Sequence, residues 1–170
     1  MEVFMIKEVE ASISKRTVMS EDHRYRYQLT KTWDSTKPCV AVVMLNPSKA
    51  DMVKSDKTVI SLTNYFVDHG YGELVIANLF SYMATDSSDL KHREADFEKQ
   101  NDAYIVDACE KADIVLVGWG SDDNVHKRRK KEVHALLEPY RRKLKCFTDD
   151  KGRSPRHPRD IHPSWRFGNY

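Results

Sequence analysis

With 170 residues, 40% of them hydrophobic, the chain can build one core and is short for two. A net charge of +2 is too small to imply a polyanion partner by itself, and no stretch approaches the roughly 18 apolar residues of a membrane span. The three cysteines, Cys39, Cys109 and Cys146, are odd in number, widely separated and without C-x-x-C spacing, which argues against a disulfide framework or a zinc knuckle. The opening MEVFMIKEVEAS carries charges throughout and lacks the apolar run of a signal peptide. The expectation is one soluble, cytoplasmic domain over residues 1–170, with no metal, no cofactor and no membrane partner.

In chain order, a first strand is expected over Val3 to Ile13. In the second, Tyr25, Tyr27 and Leu29 alternate with Arg24, Arg26, Gln28 and Thr30, the period of a half-buried strand ending near Trp33. The two form an antiparallel pair. After a turn at Asp34 to Pro38, the apolar run Val40 to Leu45 suits a strand buried on both faces, and it stops at Asn46-Pro47-Ser48. A helix follows from about Asp56, with Val59, Ile60, Leu62, Thr63, Phe66 and Val67 at helical spacing and Gly70 as its stop. Leu74 to Ala77 is the next buried strand, halting at Asn78, and a helix follows around Asn101 to Lys111. Ile114 to Val117 is a third, halting at Gly118-Trp119-Gly120, followed by a helix through Val133, Leu136 and Leu137 and a short strand at Leu144 to Phe147. The tail from Arg153, with Pro155, Pro158 and Pro163, reads as irregular. Strands alternating with helices predict a three-layer α/β/α fold around a largely parallel sheet, with the N-terminal antiparallel pair added, and ligands of such sheets bind outside the carboxyl ends of the strands.

Four strand ends therefore deliver polar or aromatic groups to one edge: Asn46-Pro47-Ser48, the Asn78 to Tyr82 segment, Trp119, and the histidines His157 and His162. Cations gather late in the chain, in the run Lys127 to Lys131 and at Arg153, Arg156 and Arg159, while the balancing acids lie mostly earlier. One electropositive side able to follow a phosphate backbone is as well supported as ordinary solvated helix faces. His126 and His134 have no carboxylate or cysteine at metal spacing and read as surface residues. No G-x-x-x-x-G-K-[ST] loop, G-x-G-x-x-G turn or G-x-S-x-G elbow is present, which argues against P-loop hydrolysis, dinucleotide binding and a serine hydrolase.

The strings R-Y-x-L at Arg26, L-N-P-S-x-A-D at Leu45 and N-L-F-x-Y at Asn78 resemble an uncharacterised bacterial and phage family over nearly the whole chain. The order of MLNPSKAD, VIANLFSY, VLVGWG and SPRHP is, more remotely, similar to the uracil-DNA glycosylase superfamily. That resemblance implies a uracil-DNA-glycosylase-like domain that cleaves the N-glycosidic bond of a base in DNA or a nucleotide. It implies that Asn46 positions the attacking water, with Asp51 or Asp56 as the nearest carboxylates and Ser48 in the same loop. Asn78 would read the edge of the extruded base, Phe80 or Tyr82 would stack on it, with Trp119 at the neighbouring strand end, and His157, or His162, would stabilise the leaving base. Arg128, Arg129, Arg153, Arg156 and Arg159 would hold the nucleic-acid backbone. Leu45 stands where the superfamily has glycine, and Arg156 and Arg159 flank His157 where small residues are commoner, so a modified base is expected rather than uracil. The alternative is a module on the same fold that binds nucleic acid or a modified base without cutting.

Overall fold

The computed structural model describes residues 5–49 and 53–170. Among the described residues, seven strands form one sheet: β1 (Ser14–Met19), β2 (Arg26–Thr32), β3 (Cys39–Met44), β4 (Glu73–Asn78), β5 (Ile114–Val117), β6 (Leu144–Thr148) and β7 (Arg166–Asn169). Their order is β1-β2-β4-β3-β5-β6-β7. The neighbours β4, β3, β5 and β6 run parallel, and β1, β2 and β7 are antiparallel additions at the edges. The accompanying α-helices are α1 (Lys57–Asp68), the single-turn α2 (Ala95–Glu98), α3 (Asn101–Lys111) and α4 (Lys127–Leu137). Among the described residues, no helix is long and apolar enough to cross a membrane.

Alternation along the buried strands divides the core in two. Val40, Val42 and Met44 of β3 meet Val59, Leu62 and Phe66 of α1, whereas Ala41 and Val43 meet Ile105, Ala108, Val133 and Leu137 of α3 and α4. Each Val, Leu, Ile, Phe or Met among them taken fully out of water contributes about 1.5–3 kcal/mol, so both helical layers are anchored by apolar burial. The start of α1 is fixed by Asp56, whose carboxylate accepts from Val59 N at 2.8 Å. Its end is fixed by Gly70, whose φ of +82° suits a residue without Cβ.

Three expectations are corrected. The first strand is at Ser14–Met19 and not at Val3 to Ile13; the described residues before Ser14 carry no strand, and their apolar side chains Met5, Ile6 and Val9 are exposed, with Val3 outside the described residues. The tail is not wholly irregular, because beyond its last proline β7 pairs with β6 and lays Phe167 at 5.1 Å from the Phe147 ring. Nor is β2 half-buried: Arg26 to Thr30 are all buried. The register with β1 shifts between Val18 and Met19, opposite Gln28 and Arg26, so one extra residue of β2 bulges out. A bulge reverses the side-chain phase. Leu29 lies in the α1-side core, whereas Tyr25 stacks on Phe97 at 4.6 Å and Tyr27 on Tyr104 at 5.2 Å, on the α2 and α3 side. Arg26 is thereby turned to the α1 side.

Candidate functional site

The chain leaves β3 toward α1 but leaves β4 and β5 toward the opposite layer, so the end of β3 is a switch point with a crevice beside it. A cleft of about 920 Å³ opens there on the α1 side, lined by Arg26, by Asn46 and Ser48 of the β3 loop, by Asp56 and Lys57 at the start of α1, and by Arg156, His157, Arg159 and Trp165 of the late loop. Asn78 ends β4, and Asn46 and Trp119 lie just beyond the carboxyl ends of β3 and β5, on the same edge of these parallel strands. Backbone bonds tie the β3 and β4 loops together, from Leu79 N to Met44 O at 2.8 Å, Phe80 N to Leu45 O at 3.0 Å and Ala84 N to Pro47 O at 3.0 Å. A Cβ at Gly118 would lie 3.1 Å from the Pro158 ring, so glycine after β5 lets the His157-Pro158 loop close over the strand end.

The polar groups of the cleft are held in specific states. The Ser48 hydroxyl donates to one oxygen of Asp56 while the other oxygen caps α1. Asn46 Nδ2 donates to Ala84 O at 2.8 Å and to Pro47 O at 3.2 Å, which fixes the loop and leaves its amide oxygen for other use. His157 Nδ1 accepts from Arg159 N at 3.2 Å. Burial first, and then the neighbouring cations Arg159 and Arg156, push the His157 pKa below its ordinary value, against the opposing pull of Asp56. The imidazole is therefore neutral at pH 7, with its proton on Nε2 as a donor. Burial also lowers the pKa of Arg26, 5% exposed, with Asp56 opposing, and an arginine so buried still remains a cation at neutral pH. Lys57 is paired with Asp160.

Of the residues singled out in the sequence, Asn46, Ser48, Arg156, His157 and Arg159 meet in this cleft. Asp51 lies outside the described residues. Asn78 is 1% exposed and is not among the residues lining the cleft; by alternation with Leu74 and Ile76 its side chain is on the α1 side, and its Oδ1 is buried without a hydrogen-bond partner among the described residues. Phe80 is elsewhere. It belongs to the core on the α3 and α4 side, with the Arg93 guanidinium 4.5 Å over its ring and His126 edge-on at 4.9 Å, and it lines a separate pocket of about 480 Å³ together with Arg129. Tyr82 meets Tyr25 edge-on at 5.3 Å, and Trp119 is part of the same core as Phe80. His162 is exposed and bonded to the Ser164 hydroxyl at 2.6 Å. Arg128 pairs with Glu132 at 3.0 Å, Arg153 with Asp149 at 2.7 Å, and Arg129 with Asp102 at 2.5 Å while donating to Leu79 O at 2.8 Å. Arg156 lies 5.4 Å over the Trp165 ring and 3.5 Å from Asp149.

Sequence reasoning does not assign Lys57 or Trp165 to the cleft, and it reads Arg24, Tyr25 and Arg26 as exposed edge-strand residues in preference to contacts with a phosphate or another acidic group, whereas Tyr25 and Arg26 are buried. Arg26 is concealed by the β2 bulge, and Trp165 by a proline-rich tail that gives no periodic signal. Among the described residues, no group of three or more His, Cys, Asp or Glu side chains is placed to hold a metal ion.

Residues 26–159 match the family model described as "Protein of unknown function (DUF1643)". The chain belongs to that family. The DUF1643 span takes in every cleft residue named above except Asp160 and Trp165. No curated protein and no solved structure matches the chain.

Proposed function

We propose that the cleft hydrolyses an N-glycosidic bond, releasing a modified base from DNA or from a nucleotide. The observation that carries this reading is the Ser48–Asp56 pair sharing one cleft with a neutral, proton-bearing His157. Cleavage builds cationic character on the sugar and anionic character on the base, so a site needs a carboxylate near the sugar and a donor near the base. Asp56, oriented by Ser48, faces the sugar and takes a proton from the attacking water, which the amide oxygen of Asn46 helps to place. The water oxygen bonds to the anomeric carbon as the carbon–nitrogen bond breaks, and the electron pair of that breaking bond leaves with the base. His157 Nε2–H donates to the oxygen on which that charge gathers. Arg156 and Arg159 hold phosphate at the rim. A base in a duplex must be extruded to reach such a site.

The test is release of free base, and of an alkali-labile abasic site, from oligonucleotides and nucleotides carrying varied modified bases. Wild type is expected to release at least one base, and Asp56→Asn, which keeps the α1 cap, to abolish release without unfolding the protein. Release that is unaffected by both Asp56→Asn and His157→Ala contradicts the assignment. A non-cutting binding module is favoured by one observation: Phe80, the expected stacking ring, is in the opposite core layer. Wild type that binds the same panel tightly and releases nothing supports that second reading.

A further inference from the structure

The proposed chemistry names no surface for the flat face of the bound group, and the tail supplies one. Trp165 lines the cleft and is half-buried, and among the described residues lining that cleft its indole is the one large aromatic ring. The ring is fixed before any ligand arrives. Trp165 N donates to His162 O at 3.0 Å, the turn is held by Ser164, whose hydroxyl donates to Asp150 at 2.7 Å, and the next residue, Arg166, pairs with Thr148 as β7 begins. The side chain packs against the α1-side core, with its ring 6.3 Å from that of Phe147.

Arg156 completes the surface. Its guanidinium carbon lies 5.4 Å from the centre of the Trp165 ring, its Nε is 3.5 Å from the Asp149 carboxylate, and its Nη1 donates to Ser121 Oγ at 3.4 Å. Tied at two points, the guanidinium is held as a plane and not as a swinging charge. An indole attracts a flat π system across its face, and a guanidinium stacks on one in a way that a lysine ammonium cannot. A wall set in advance loses little freedom when a ligand lies on it. A sugar or a phosphate has no π face to offer, so this wall selects for a planar ring.

We infer that Trp165 and Arg156 form a stacking subsite in the wall of the cleft, so that the group it recognises is a single unpaired nucleobase. The inference deepens the reading of the cleft as a base-excising site and rests on it for the ring being a nucleobase; it assigns the flat face of that base to the tail and not to Phe80 or Tyr82, which do not line the cleft. A base inside a duplex has both faces covered by its neighbours. It reaches the wall from a single strand, after extrusion, or as part of a free nucleotide.

Binding to the intact chain tests the subsite without turnover. In one arm, fluorescence anisotropy compares a mixed-sequence single strand with a strand of the same length and charge built from base-free tetrahydrofuran residues. In the other, calorimetry compares deoxycytidine 5′-monophosphate with 2-deoxyribose 5-phosphate. Because every base has a π face, stacking predicts roughly tenfold or greater preference for the base-bearing member in at least one arm. A preference in the strand arm alone assigns the subsite to a base in nucleic acid, and one in the nucleotide arm assigns it to free nucleotides as well. Trp165→Leu is expected to remove most of the preference, Trp165→Phe to keep most of it, and Arg156→Lys to keep part. Equal binding of both members in both arms by wild type, or full preference in folded Trp165→Leu, overturns the inference. If Trp165→Leu does not fold, the tryptophan fluorescence of wild type decides: stronger quenching by the base-bearing member supports the subsite, and equal quenching overturns it. A preference that depends on Trp165 without base release would sink the hydrolytic reading and leave the subsite standing, while release without preference would do the reverse.

Discussion

The two cationic regions that stand out in the chain, the Lys127 to Lys131 helix and the Arg156 to Arg159 loop, look alike as strings and differ as surfaces. On the helix, Arg128 is paired with Glu132, Arg129 with Asp102 and the Leu79 carbonyl, and Lys130 Nζ donates to Asp122 O at 2.6 Å. Of these, Arg129 and Lys130 are held within the fold by their partners, whereas Arg128, 94% exposed in its side chain, lies outside the cleft. In the loop, Arg159 is exposed and Arg156 covers Trp165, both at the mouth of the cleft that holds Arg26 and His157. A basic run records charge, and only the partners decide whether that charge is available to a ligand.

The largest expected separation between the regions is in the chemical step. His157→Ala should lower base release on the order of 100- to 1,000-fold, the usual cost of losing one donor to developing charge, whereas Arg129→Ala should leave the rate of the folded protein close to wild type. Equal losses in both would mean that the cleft holds no special position. Binding should separate them next. Arg159→Glu is expected to weaken binding of a single-stranded oligonucleotide about tenfold and to flatten its salt dependence by roughly 0.7 in logarithmic slope for each phosphate it no longer neutralises, while Arg128→Glu changes affinity less than about twofold. Titrations at several salt concentrations read both quantities.

Stability should reverse the ranking. Arg129, 17% exposed in its side chain, satisfies the Leu79 carbonyl, so Arg129→Ala should cost about 1–3 kcal/mol in denaturant unfolding, against at most about 0.5 kcal/mol for Arg159→Ala. The smallest effect is the pH dependence of His157. Its folded pKa is lowered by burial and by Arg159 and Arg156, so the unfolded chain binds more protons between that value and the unfolded value of 6.5. Its contribution to stability is thus complete above about pH 6.5 and is lost as pH falls through that window. The wild-type melting temperature should drop more between pH 7 and pH 5 than that of His157→Gln; identical drops would show that the imidazole is not held neutral by the fold.

The parts of the fold legible in sequence are those where one physical signal decides. Ile114–Val117 and Asn101–Lys111 are the expected β5 and α3: the apolar run of β5 halts at Gly118-Trp119-Gly120, and α3 buries Ile105, Ala108 and Cys109 at helical spacing. The convergence of Asn46, Asn78 and Trp119 on one edge follows from the same alternation of strand and helix. The bulge in β2 carries no such signal: Tyr25, Tyr27 and Leu29 keep their period in sequence while the register shift places Leu29 on the opposite face from the tyrosines. Arg26 is hidden for that reason, and Phe80 is misplaced by sequence reasoning because strand-end position does not say which layer a side chain enters. β7 escapes the sequence because its residues become a strand only by pairing with β6.

Backbone hydrogen exchange with and without a saturating mixed-sequence single-stranded oligonucleotide tests the location of function most directly. The account predicts protection at residues 44–48, 57–60 and 156–160, around the cleft on the α1 side, with α4 unchanged. Protection confined to residues 91–95 and 127–132, on the opposite layer, would contradict it.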